Sequence, residues 1–587
     1  MAVLAWISDP ARMPAMDFRT VAERYVPGVH VARTYERRWA RPDAVAGLVL
    51  AAILVPQGMA YAELAGLPAV TGLYTTIACL IGYAIFGPSR VLVLGPDSSV
   101  SPLIFAAIAP LFVAGDSGSA IALAGMLAIL VGVIEVGLGA CKLGFVADLL
   151  SSEVQVGYMN GLAITIIVGQ LPKLFGFSTD ADTFWDELHE FFTHLDETKA
   201  AALAIGVGVL VVLLVLPRVS RRIPAVLVAV AAATIVSAVA GLSSEIATVG
   251  TLPRGVPAPS LPWTQLSDVG PLLLAAMGIV LVSLTDTIAT ASSFAARRGD
   301  ELEPNQEMIG IGASNIAAAF FQGFAVSTSG SRTAVAEQSG ARSQVSNLVG
   351  AGLVVVLLLF FNGLLADLPQ SALAAVVIVA ALSLVNVRDV VRYWNVRRSS
   401  ALLSLAATGG VIVLGVLEGI GLAIFLAVLL FFRRSWWPHG AVLGRRDGID
   451  GWHSIEQLDD LAEVPGVLVY RWEAPLFFAN AGQFRQQIRK LVREREPRWV
   501  VLQCEAITDI DVTAAAMLEQ LDEELNAAGI HLAFVELRTR LQDLMQRHGL
   551  FETLERDHCY PSMDAALAAI AGEGRGDDDG ERDGPLS

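Results

Sequence analysis

Runs of about twenty apolar residues recur along this chain, and nothing else constrains its fold as much. LVLAAILVPQGMAYAELAG, AIALAGMLAILVGVIEVGLGA, AALAIGVGVLVVLLVLP, PAVLVAVAAATIVSAVAGL and LVGAGLVVVLLLFFNGLLA each approach the length that spans a bilayer core. In hydrocarbon every backbone N–H and C=O has to be satisfied internally, so each run reads as a helix. Only 17% of the 587 residues are charged and 54% are hydrophobic, where a soluble chain carries about 25% charged residues. The mean hydropathy of +0.58 points the same way. The sequence describes a polytopic α-helical membrane protein.

Between residues 42 and 434 fourteen such segments can be counted, several of them short or broken. Their orientation follows from the basic residues in the connections. If the Arg-rich N-terminal region 1–41 is cytoplasmic, the even-numbered connections hold Arg90, Lys142, Arg218 with Arg221 and Arg222, Arg297 with Arg298, Arg342, and Arg388 with Arg392, Arg397 and Arg398. Arg433 and Arg434 mark the exit. The opposite connections are nearly free of basic residues. The largest, LPKLFGFSTDADTFWDELHEFFTHLDETKA, has seven acids against Lys173 and Lys199 and reads as an outer amphipathic helix. This alternation places both termini in the cytoplasm of a cell membrane, the inner one where there are two. The first forty residues do not read as a secretory signal, since no short apolar core ends at a small-residue cleavage site.

Several function classes drop out. The net charge of −17 argues against a nucleic-acid partner. The four cysteines, Cys79, Cys141, Cys504 and Cys559, form no CxxC pair, so neither a disulfide framework nor a zinc site is indicated. All eight histidines fall outside the apolar segments, which excludes a histidine proton relay within the membrane. No nucleophile triad, acid–base pair or cofactor motif is visible, so an enzyme is not expected.

Fourteen segments divide into seven plus seven, and a unit with an odd number of spans inserts upside-down relative to its copy. Each half holds a matching oddity. The third segment opens with VLVLGPDSSVSPLIF and the tenth with FAVSTSGSRTAVAEQ, each a β-like run continuing into a helix too short to span. Paired interrupted segments in two halves point to a transporter's substrate site. Two half-helix N-termini at mid-membrane offer free N–H groups and positive dipole ends, which suit an anion.

After Trp436 the character changes. Residues 435–572 alternate strand and helix: VLVY and RWVVLQCEAI as buried strands, VTAAAMLEQLDEELNAAG as a helix, then IHLAFVEL, LRTRLQDLMQRHGL and SMDAALAAIAG. This predicts a small α/β domain. Residues 573–587 form a charged, Gly-rich tail expected to be disordered.

At this level of detail the sequence resembles the SulP (sulfate permease) anion transporters, which carry a C-terminal STAS domain. The resemblance spans roughly residues 40–570 and rests on separate motifs: VPQGMAYAELAGLPAVTGLYT, GPSRVLVLGPDSSVS, VGYMNGLAITIIVGQLPKLFG, VGTLPRGVPAPSLP, NQEMIGIGASN and SGSRTAVAEQSGAR. It implies a mobile core of segments 1–4 and 8–11 beside a scaffold or gate, a cytoplasmic STAS domain, alternating access, and often a homodimer. A cytoplasmic protein partner of the STAS domain is a further expectation.

The candidate site residues follow. Gln57 and Tyr61 stand at i and i+4, so one helix face offers an amide beside an aromatic edge; the resemblance places them on the anion site, the reading preferred here over helix packing. Ser331 and Arg332 match the family's site at the start of the tenth segment, with Ser98, Thr328 and Ser329 as nearby hydroxyls. A structural Arg332 paired with Glu337 or Asp286 is the alternative to a site-lining one, which is preferred because intramembrane ionisable residues are functional by default. Asp97 departs from the family pattern; it reads as a cap of the third segment or as a protonatable group beside the anion. Asp286, Thr290 and Ser293 share one face at i, i+4 and i+7, so Asp286 and Thr290 are candidates for a coupling H⁺ or Na⁺, with a salt bridge to Arg332 as the alternative. Glu135 lies deep, with no role assigned. In DIDVTAAAML the turn with Asp511 and Thr513 resembles the phosphorylated turn of bacterial STAS proteins; a helix cap is the simpler reading. No cofactor is expected beyond a coupling ion.

The expectation is a secondary active transporter of small oxyanions, sulfate first. Alternatives are a Na⁺-coupled bicarbonate or H⁺-coupled dicarboxylate transporter and, in a different class, an anion channel or an anion sensor signalling through STAS.

Overall fold

A computed structural model describes residues 26–580 except 114, 146–150, 180, 182, 221–223, 447, 457, 459 and 555. The chain divides into two compact units, Met1–Ala427 and Val428–Ser587.

The first unit is helical. After α1 (Pro27–Thr34) come α2 (Ala40–Leu64), α3 (Ala69–Phe86), β1 (Leu94–Gly95), α4 (Ser101–Ile108), α5 (Ser117–Ala140), α6 (Ser152–Phe175), α7 (Phe184–Thr193), α8 (Ala200–Val219) and α9 (Ala225–Ala240). The second half runs α10 (Leu266–Arg298), α11 (Pro304–Phe320), β2 (Ser327–Thr328), α12 (Gly330–Gln338), α13 (Val345–Phe360), α14 (Gln370–Leu384), α15 (Val387–Val396), α16 (Arg398–Leu414) and α17 (Val416–Trp436). Among the described residues, 7 helical stretches have the length and hydropathy to cross a membrane, and they contain α2, α3, α5, α6, α8, α10 and α14. The shorter or more polar α4, α9, α11, α12, α13, α16 and α17 complete the fourteen expected segments, seven in each half.

Packing follows the 7+7 plan. The contact of α5 with α11 has its counterpart in that of α13 with α3, and α2 with α13 in α10 with α5. The contact of α6 with α16 is mirrored by that of α14 with α8. Segments 1–4 and 8–11 therefore pack on one another, and α6, α8, α14 and α16 on one another. Close approach depends on small residues, as between membrane helices generally. A Cβ on Gly132 of α5 would meet the Gly312 carbonyl of α11 at 2.5 Å, and one on Gly312 the Gly132 carbonyl at 2.6 Å.

Among the described residues, one amphipathic helix in each half lies between membrane segments and outside the fourteen. The α7 helix falls in the acidic connection as expected, with Thr183 capping it by accepting the Asp186 N–H at 3.3 Å. Its counterpart in the second half, α15, is basic, with Arg388 and Arg392, and was not foreseen as a separate element.

The second unit is a six-stranded sheet in the order β4-β3-β5-β6-β7-β8. Its strands are β3 (Gly440–Arg446), β4 (Ile449–Ser454), β5 (Val467–Trp472), β6 (Trp499–Gln503), β7 (His531–Val535) and β8 (Cys559–Tyr560). The helices are α18 (Ala481–Arg495), α19 (Val512–Ala527), α20 (Thr539–Arg547), α21 (Leu550–Thr553) and α22 (Met563–Gly580). β5, β6, β7 and β8 pair in parallel, whereas β3 pairs antiparallel with both β4 and β5. The β3–β4 hairpin, β8 and α18 were not read from the sequence. The α22 helix continues to Gly580, into the stretch expected to be disordered; residues 581–587 of that stretch lie outside the described residues.

Candidate functional site

The site is built on a two-stranded crossing. β1 and β2 pair antiparallel, Leu94 with Thr328 and Gly95 with Ser327. The helices that follow them, α4 and α12, therefore leave in opposite directions. With 8 and 9 residues they rise only about 12–14 Å, well short of a bilayer core. Two half-helices with adjacent strand lead-ins are what the paired motifs predicted.

At the first half-helix, Asp97 Oδ2 accepts from the Ser99 N–H at 3.0 Å and from Ser99 Oγ at 2.8 Å. The Asp97 carbonyl accepts from Ser101 N at 3.0 Å. Asp97 thus closes the turn that precedes α4, but it is not the helix cap: the N-cap position is Val100, which makes no side-chain cap hydrogen bond. The other Asp97 oxygen faces Arg332, with Nη2 at 3.4 Å.

Arg332 lies on the first turn of α12 and is only 1% exposed. Its Nη1 donates to the Pro96 carbonyl at 2.7 Å and its Nη2 to that of Gly95 at 3.5 Å. A Cβ on Gly95 would meet Nη1 at 2.9 Å, so a glycine is what lets the guanidinium reach the strand. The sequence suggested Glu337 or Asp286 as the partner of a structural Arg332. The partner found is Asp97; Glu337 faces Arg297 instead, at 3.9 Å. Asp97 wins because the strand crossing puts residues from opposite halves side by side, a proximity that no separation along the chain reveals.

The second half-helix begins differently. Gly330 and Ser331 are exposed and Ser329 half-buried. The Ser329 and Ser331 hydroxyls lie 3.0 Å apart. Thr328 Oγ1 donates to Thr287 Oγ1 at 3.1 Å. Thr290 adjoins the same turn, since a Cβ on Gly330 would lie 3.9 Å from its hydroxyl. Asp286 lies against Ser327, in the field of both Asp97 and Arg332. The Tyr61 hydroxyl lies against Ser98, and Gln57 is half-buried one turn before it. Gln57, Tyr61, Asp97, Ser98, Asp286, Thr290, Thr328, Ser329, Ser331 and Arg332 are carried on β2, on the turns between strand and half-helix, on the first turn of α12, or on the helices α2 and α10. Thr513 belongs to the other unit; it is exposed on the first turn of α19. The cap there is Asp511, which accepts from Ala514 N and from Phe478 N, each at 2.8 Å.

Sequence reasoning missed Tyr158, whose hydroxyl donates to the Ser99 carbonyl at 3.2 Å and ties α6 to the first turn. It stands in the quoted motif VGYMNG, but nothing in its spacing ties it to Ser99. Glu307 was missed too: it is buried and accepts from Tyr83 Oη at 2.6 Å and from Ser89. An ionisable residue in an apolar helix is itself the signal that would have found it.

A model of the sulfate permease family matches residues 41–407, and one of the STAS domain residues 460–566. The chain belongs to the sulfate permease family. A probable sulfate transporter of Mycobacterium tuberculosis is 41% identical over 550 residues, covering 93% of this chain and 98% of the relative. Human solute carrier family 26 member 6 is 31% identical, over 77% of this chain and 63% of its own. Murine Solute Carrier 26 family member A9, described as an anion transporter in the inward-facing state, superposes with a TM-score of 0.88 at 23% identity, covering 97% and 98% of the two chains. The fold is thus that of this permease, and the α/β unit is its STAS domain. Members of the family are anion transporters, not enzymes.

Proposed function

We propose that this permease is a secondary active transporter of small oxyanions, sulfate in the first place, working by alternating access. The observation that carries the reading is the open N-terminus of α12. Its free N–H groups and the Ser329 and Ser331 hydroxyls face accessible space, while the half-helix from the other repeat closes the site from behind. An anion there accepts from Ser331 and the first N–H groups of α12, at the positive end of the helix dipole. Gln57 and Tyr61 close the side toward α2, with Ser98 and Thr328 behind. Arg332 acts through its field rather than by contact, because carbonyls and Asp97 occupy its Nη donors. The relatives named as sulfate transporters favour sulfate.

Inward transport of an anion against an inside-negative potential costs roughly 2.3 kcal/mol per charge per 100 mV. A chain with no ATPase motif needs a coupled ion to offset this. Asp286 is the coupling residue in this reading. It carries H⁺ alone, or Na⁺ together with Thr290, and the nearness of Thr290 to the α12 turn favours keeping the Na⁺ form, with bicarbonate as its anion. The protein acts as a homodimer in the cell membrane with both termini cytoplasmic, as the inside-positive charge pattern supports, and its STAS domain offers a surface for a cytoplasmic partner. Uptake of labelled sulfate, bicarbonate and fumarate into proteoliposomes, with H⁺ and Na⁺ gradients imposed in turn, tests this reading. Sulfate accumulation driven by one gradient is expected. Binding without flux would point to a sensor, and non-saturating flux indifferent to gradients to a channel.

A further inference from the structure

Among the described residues no ion pair balances the Glu135 carboxyl. Glu135 on α5 is 0% exposed. Its Oε2 accepts from Asn315 Nδ2 at 2.7 Å, while Oε1 is buried without a hydrogen-bond partner. Asn315 Oδ1 in turn accepts the Val326 N–H at 2.7 Å. A backbone N–H can only donate, so this contact fixes the orientation of the Asn315 amide and turns its NH₂ to Glu135. Ser283 Oγ donates to the carbonyl of the same Val326 at 3.4 Å, and Ser283 is the second side chain acting on Glu135. Glu135 therefore stands behind both groups that hold the backbone of Val326, the residue directly before β2.

We propose that Glu135 is a proton-bearing positioning residue: as a neutral acid it keeps Asn315 and Ser283 on Val326 and thereby fixes β2 and the α12 N-terminus for anion binding. The inference rests on the transport reading above. Hydrogen-bond capacity gives the reason. Ser283 has one O–H to donate. With Glu135 neutral, its own O–H donates to Ser283 Oγ and leaves the Ser283 proton for the Val326 carbonyl. When Glu135 releases its proton to water, the carboxylate competes for the Ser283 O–H, and the Val326 carbonyl loses its donor. A buried, unpaired carboxylate is costly enough to drive that exchange. Among the described residues, the helices packed on α5 bring no cation to Glu135. α4 (SPLIFAAI) has no titratable group. On α11 the titratable group is Glu307, eight residues from Asn315 and held by Tyr83 and Ser89. On α10 the nearest is Asp286, three residues from Ser283, and Arg297 and Arg298 lie at the far end of that helix.

The test uses purified full-length protein. Infrared spectroscopy at neutral pH is expected to show the carbonyl stretch of a buried protonated acid that Glu135→Gln removes. In uptake, the wild-type apparent KM for sulfate is expected to rise about tenfold toward alkaline pH, with a smaller change in kcat. Glu135→Gln, which copies the neutral acid, and Ser283→Ala, which removes the contested hydroxyl, are expected to hold KM within about twofold over the same range. An infrared spectrum identical in wild type and Glu135→Gln would overturn the proposal, as would a KM in either variant that follows the wild-type pH profile. The spectrum needs no substrate, so the acid band without sulfate uptake would sink the sulfate reading and leave the protonation of Glu135 standing.

Discussion

The two half-helices come from equivalent places in an inverted repeat, yet they present opposite chemistry. The start of α4 is sealed: Ser98 is 5% and Ser99 1% exposed, and the Asp97 carboxylate takes up the donors of the turn. The start of α12 is open, with Gly330 and Ser331 exposed. Their strands are held differently as well. The lead-in to β1 is fixed by neutral groups of the second half: Thr333 accepts the Val93 N–H at 3.1 Å, and Gln344 and Asn347 donate to the Leu92 carbonyl at 3.1 and 2.9 Å. The lead-in to β2 is fixed by Asn315 and Ser283, with a carboxyl behind them. Duplication supplies two positive helix ends. One is neutralised from within, and the other is left open, the end at which the proposed site places the anion.

Removing the arginine that joins the two halves is the harshest way to break this contrast. Arg332→Ala leaves Asp97 buried without its partner, a change that typically costs about 3–5 kcal/mol. Sulfate uptake and binding are expected to vanish, with a clear loss of thermal stability. Adding Asp97→Asn is expected to restore stability but not uptake; recovery of uptake would remove the guanidinium field from the account. Next in size is Asp286→Asn. Accumulation ratios are expected to fall to the equilibrium value while downhill flux persists, and unchanged dependence on the H⁺ and Na⁺ gradients would move coupling elsewhere.

A glycine pair gives a finer comparison. Gly95→Ala crowds Nη1 and is expected to cost about 1–3 kcal/mol. Gly330→Ala meets nothing closer than 3.9 Å and is expected to leave the melting temperature nearly unchanged. Equal effects would deny that one end is sealed and the other open. The smallest effect concerns thiols in the two units. Cys141 is exposed, whereas burial pushes the Cys504 thiol well above its usual range. An impermeant maleimide is expected to label Cys141 in the native protein, and to reach Cys504 only after denaturation.

The fold was readable because bilayer physics writes itself into run length and charge placement. Fourteen segments, two interrupted ones and the α/β switch after Trp436 all leave local patterns. The β3–β4 hairpin escaped because its strands, GAVLGRR and IDGWHS, are short and broken by glycine and charge. Of the site, Asp97, Arg332 and Asp286 were legible as ionisable residues where the membrane tolerates few. Their pairing was not. Arg332 meets Asp97 across 235 residues of chain because the strands cross, and no helical spacing encodes that. Tyr158 and Asn315 were opaque for the same reason: a hydroxyl or amide in an apolar helix does not announce which distant backbone it will hold.

The central claim is that the anion binds at the open end of α12. The direct measurement is the position of bound selenate, a heavier likeness of sulfate, located by its anomalous scattering in crystals of the full-length protein. The account predicts a selenate oxygen within about 2.7–3.2 Å of Ser331 Oγ and of the first N–H groups of α12. Selenate seated on the α4 side of the crossing, or away from both half-helices, would contradict it.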